Sequence, residues 1–189
     1  MINRGIEWFE ERAKLIWKGD PAKSILTIVP SGYDADQVAH KITKFIETSF
    51  LMRTGDENHT PIVLPVIPDR HASAEQLVMG IIKQAQSHLE DKSQAHNDDY
   101  LSDKVETVFE ELLKSELYPV LLIKRFNSFT RIVDKELLHI LASLREFERE
   151  NKVTSIVISP MNYDVIRHKM RENTEQTYPF LNSPYGDNH

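Results

Sequence analysis

Cysteine is absent from the 189 residues, which excludes a disulfide framework, a thiolate metal site and a cysteine nucleophile. No apolar run is long: ILTIV, IVLPVI and VLLI are strand-sized and far short of a membrane span. The opening MINRGIEWFEERAKLIWKG has neither an apolar signal core nor a small-residue cleavage site, so export is not indicated and the cytoplasm is the expected compartment. An excess of positive charge is missing too. The formal net charge is -6, which argues against coating nucleic acid through bulk electrostatics. The eight histidines show no H-E-x-x-H or comparable ligand spacing, so no metal is expected. There is no G-x-S-x-G nucleophile elbow, and Ser31 has no evident base.

What is present is the composition of a soluble globular domain, 40% hydrophobic and 28% charged. The length suits one domain over 1–189 with a substantial core. Its pattern alternates helix and strand. A helix is predicted over about 3–17, then a strand at Ile25–Val29 and a turn at Pro30–Gly32. A helix from about Ala35 to Phe50 follows, with Val38, Ile42, Phe45 and Ile46 on one face. After the polar RTGDENHT comes a strand, PIVLPVI, whose Pro65 suggests an edge or a bulge. Helices are expected at 73–89 and 103–115, separated by the aperiodic EDKSQAHNDDY, and the strand YPVLLI follows. A helix at 133–150, the strand VTSIVIS, a short helix at 163–171 and an irregular tail over 174–189 complete the reading. Four buried strands alternating with helices imply an α/β fold: a three-layer parallel sheet with helices on both faces.

The informative stretch is SILTIVPSGYDADQVAHKI, Ser24–Ile42, where a strand stops at Pro-Ser-Gly and an amphipathic helix begins. With YPVLLIKRFNSF and VTSIVISP further on, it resembles the core of a P-loop NTPase, closest to the AAA+ and STAND ATPases, over roughly residues 24–160. The resemblance overlays Ile25–Gln37 on the Walker A region, Val120–Arg125 on the Walker B strand and Ser159 on the sensor 1 position. It implies glycines and a lysine around the phosphates, a hydroxyl on magnesium and an Asp-Glu pair ending the second strand. Laid on that pattern, Val29 and Asp34 stand for glycines, Ala35 for the lysine and Asp36 for the hydroxyl; only Gly32 remains as a loop glycine. Lys124 and Arg125 replace the two acids. The charges are exchanged at both places, and an ion pair between Asp34 or Asp36 and Lys124 or Arg125 would fill the cleft, on the premise that the two strands are neighbours. Acids at a helix start are also common on ordinary surface turns, and KRF equally suits a solvated strand end.

The resemblance with its departures leads to a catalytically inactive, ATPase-like domain, a pseudo-ATPase without catalytic residues, cofactor or lid. Such a domain would act as an interaction, regulatory or scaffold subunit, partnered by an active AAA+ or STAND ATPase or by its own copies in a bacterial-type machine. Arg131, Arg145 and Arg149 are candidate interface arginines. The chain is expected to stop before a fifth strand. Two alternatives stay open. In one, ATP and magnesium bind an unorthodox site, with Asp34 and Asp36 on the metal and Lys41 or Lys44 on phosphate, although both lysines lie further along the helix. In the other, Lys124, Arg125, Arg167, Lys169 and Arg171 bind nucleic acid.

Overall fold

The computed structural model describes residues 25–28, 34–49, 52–54, 57–71, 73–89, 100–124, 140, 143–144 and 146–159. The expected helices at 3–17 and 163–171, the segment 90–99 and the tail at 174–189 lie outside them. The strands are β1 (Ile25–Ile28), β2 (Met52–Thr54), β3 (Glu57–Val66), β4 (Leu117–Lys124) and β5 (Thr154–Ser159). They form one five-stranded sheet in the order β1-β5-β4-β3-β2. β1, β5, β4 and β3 run parallel, and β2 is antiparallel to β3.

Two expectations are corrected by this order. Among the described residues the sheet has five strands rather than four, because RTGDENHT supplies part of β2 and the start of β3, with Thr54 paired to Glu57. The strands overlaid on Walker A and Walker B are not neighbours: β5 lies between β1 and β4.

The helices are α1 (Ala35–Ser49), α2 (Ala74–Gln86) and α3 (Leu101–Lys114). Each carries an apolar stripe at helical spacing. Ala39, Ile42 and Ile46 of α1 are buried against Tyr118, Val120, Leu122, Ile156 and Ile158 on one face of the sheet. On the other face α2, α3 and the helical residues Ile140, Leu144 and Phe147 cover Ile62, Leu64, Val66, Leu121, Ile123 and Val157. Successive strand residues therefore serve opposite layers, which is why the central strands read as unbroken apolar runs. Full burial of an isoleucine such as Ile42 or Ile46 contributes about 1.5–3 kcal/mol.

Local chemistry sets the ends of these elements. Ser73 caps α2, its hydroxyl accepting from Gln76 N at 3.3 Å. Glu116 follows α3 in the left-handed region at φ 58°, and its carbonyl accepts from Thr60 N at 2.8 Å, joining the helix end to β3. The helix before β5 ends at Asn151, φ 57°, where Lys152 N reaches Phe147 O at 2.8 Å in a Schellman arrangement.

Candidate functional site

Because β1, β5 and β4 run parallel, their C-terminal ends lie along one side, where open α/β sheets place their ligands. Register puts Ile28 beside Ser159 and Lys124 beside Ile158. The positions selected from sequence, Lys124, Ser159 and the start of α1, thus share one end of the sheet. Gly32 and Arg125 lie outside the described residues, as do Arg131, Arg145, Arg167, Lys169 and Arg171.

Asp34 immediately precedes α1 and acts as its cap. Its Oδ1 accepts from Asp36 N at 2.9 Å and from Gln37 N at 3.4 Å, engaging helix-start amides that would otherwise have no intrahelical partner. Asp36, in the first turn, also complements the positive end of the helix dipole. Ala35 stands between them, half-buried against the α1-facing core.

Lys124 ends β4, and its Nζ donates to Asp36 Oδ1 at 3.1 Å. The lysine side chain is 18% exposed and the aspartate 61%. The pair spans the width of β5, and the path of α1 makes that reach achievable. The helix packs across one sheet face, against β3, β4 and β5.

This end of the sheet can hold a cation against a carboxylate and close a helix terminus. An incoming phosphate would meet the Asp34 and Asp36 carboxylates, with helix amides already engaged by Asp34. A magnesium ion arriving at the end of β4 would meet an ammonium instead of acids. Lys41 and Lys44 are exposed on α1 beyond its first turn. Arg149 pairs with Glu146 within its own helical turn at 2.6 Å. Among the described residues no cluster of His, Asp or Glu could hold a metal ion, and no helix is long and apolar enough to cross a membrane.

The sequence reading missed a polar cluster at the opposite end of the sheet. Tyr118, fully buried at the start of β4, places its hydroxyl 3.2 Å from Thr154 Oγ1 and 3.3 Å from Asn151 Oδ1. Burial pushes its phenol well above the ordinary range; the bond to Thr154 pulls it down, and nearby Glu148 adds to the rise. Glu148, itself buried, accepts from Ser155 N at 3.1 Å. Buried His59 donates from Nε2 to Leu113 O at 3.1 Å, fixing β3 to the end of α3. These groups sit at strand starts and helix ends, so they hold elements together away from the candidate site.

Residues 58–189 match the family described as Novel STAND NTPase 2 (nSTAND2). The fold is similar to that of the Aeropyrum pernix ORC2 protein, solved in ADPNP-ADP complexes, with a TM-score of 0.60 and 14% identity. That similarity covers 95% of this chain and 44% of the other, so the chain spans less than half of the Aeropyrum protein's length. It is also similar to a chain of Drosophila ORC bound to DNA, with a TM-score of 0.52 and 12% identity over 89% of this chain and 85% of that one. Identities this low establish the fold and nothing more. No curated protein sequence matches significantly.

Proposed function

Because the chain belongs to the Novel STAND NTPase 2 family, we propose that it is an ATPase-like domain whose phosphate site is closed by its own charges, a pseudo-ATPase that works by binding a protein partner. The observation that carries this reading is the contact of Lys124 Nζ with Asp36 Oδ1 at 3.1 Å. An active site of this class needs helix-start amides open to phosphate, a lysine among them, and acids at the end of the second motif's strand. Here an aspartate takes the amides, an alanine stands at the lysine position, and a lysine stands at the first acid position. The function left to such a domain is association, with an active ATPase or a second copy of this chain as the partner.

Calorimetric titration of the purified chain with ATP and with ADP, each with magnesium, tests the reading, together with a thermal-shift scan. No heat and no shift at millimolar nucleotide is the expected result. Saturable micromolar binding would raise the melting temperature by mass action and would overturn it. The rival reading, nucleotide bound at an unorthodox site, draws support from the family's designation as an NTPase and from the nucleotide complexes of the Aeropyrum neighbour. The same titration separates the two. A nucleic-acid role draws on the DNA-bound Drosophila neighbour and predicts DNA affinity that falls steeply with salt.

A further inference from the structure

Three prolines lie inside the strands of this sheet: Pro61 and Pro65 in β3 and Pro119 in β4. A proline has no N–H to give to a ladder, so the register shows which side of each strand can do without one. Thr60 N donates to Glu116 O at 2.8 Å, which turns the N–H of Thr60 toward β4. Strand alternation then turns those of Ile62, Leu64 and Val66 the same way. The intervening positions, Glu57, His59, Pro61, Val63 and Pro65, present their backbone groups to the outer side. The first two of these pair with β2, at Thr54 and Met52. Among the described residues the ladder with β2 stops at His59, and the next outward donor would be the nitrogen of Pro61. Beyond it only Val63 keeps an N–H on that side.

Pro119 obeys the same logic. It faces the β5 side of β4 one residue before the β4–β5 ladder begins at Val120 and Thr154. No proline is placed where a ladder requires its nitrogen.

We propose that Pro61 and Pro65 close the outer edge of β3 to strand addition, so that the sheet does not extend or pair between copies of this chain there, and a protein partner docks elsewhere. An edge strand with a full row of donors and acceptors is a template for another strand. This edge offers carbonyls and a single N–H over Thr60–Val66, and an added strand would lose every second donor. The inference does not depend on the state of the nucleotide site.

Two measurements on the full chain test it. Native-state hydrogen exchange should find the Val63 amide exchanging on the order of a hundredfold or more faster than the β4-bonded amides of Ile62 and Leu64. Protection of Val63 equal to theirs would show the edge already paired and would overturn the proposal. The double variant Pro61→Thr, Pro65→Thr restores both donors with a strand-compatible residue. It should self-associate with rising concentration in sedimentation velocity beyond the wild-type chain. A folded double variant that stays as dispersed as the wild type would equally overturn the proposal, and should the variant not fold, exchange at Val63 decides alone.

Discussion

Replacing Asp36 with Asn and Lys124 with Met, singly and together, measures how strongly the ion pair holds α1 to the end of β4. At 3.1 Å the Coulomb energy is about 1.3 kcal/mol in a water-like medium and about 5 kcal/mol at the lower effective dielectric of a protein surface. The 61% exposure of Asp36 draws the pair toward the lower figure, and ordering two side chains costs part of it. A coupling energy of about 0.5–1 kcal/mol is therefore expected. Neither single variant reports it directly. Asp36→Asn also removes a charge from the first turn of a helix, about 0.3–1 kcal/mol, and disturbs a further contact that Asp36 makes. Lys124→Met keeps an apolar stem in a half-buried position. The four-membered cycle cancels those separate costs. Urea unfolding at low salt gives the coupling, and repetition in about 1 M salt, where the Debye length is about 3 Å, should reduce it by more than half. A coupling of zero at low salt would show that the contact does not hold in solution. A salt-insensitive value of about 3 kcal/mol or more would mark a buried pair and refute the screening expected from the exposure of Asp36.

Asp34→Ala should cost about 1 kcal/mol in thermal or urea unfolding through loss of the α1 cap, while Asp34→Asn should recover most of it. Glu116→Gly should stabilise by up to about 1 kcal/mol, because glycine adopts the φ of 58° without penalty; a melting temperature raised by about 2–4 °C is the readout. Tyr118→Phe should destabilise by about 1–2 kcal/mol by leaving the polar groups of Thr154 and Asn151 one partner short. The raised phenol of Tyr118 also makes folding pH-dependent. The unfolded chain releases that proton near pH 10 while the folded chain retains it, so stability is full below that pH and falls as the pH rises above it. Spectrophotometric titration should find one tyrosine that ionises only on unfolding, and the alkaline loss of stability should weaken in Tyr118→Phe.

The local patterns were the legible part. The α1 stripe, the helix start at 73 and the apolar runs of β4 and β5 are local signals, and the structure places all of them within a few residues of expectation. β2 escaped because three residues are too few to show alternation; the two-residue Gly55-Asp56 connection between Thr54 and Glu57 was the available signal for a hairpin. The pairing of Asp36 with Lys124 was legible as complementary charge, but the reason given for it, neighbouring strands, does not hold. Strand order is a global property, and only the passage of α1 across the sheet brings the two groups together. Tyr118 and Glu148 were unreadable as a pair because burial and the Asn151 turn, rather than any spacing in the chain, decide what they meet.

The pairing of β1 with β5 has a consequence in time. Ile25 finds its neighbour Ile156 roughly 130 residues later in the chain, and at about 5–20 residues per second a ribosome needs on the order of ten seconds to supply it. Meanwhile β3, α2, α3 and β4 can assemble through contacts closer in sequence, which close first at lower entropic cost. The first of the described strands is thus among the last to be seated. Until β5 emerges, β1, which leads into the candidate site, has no neighbouring strand among the described residues to pair with.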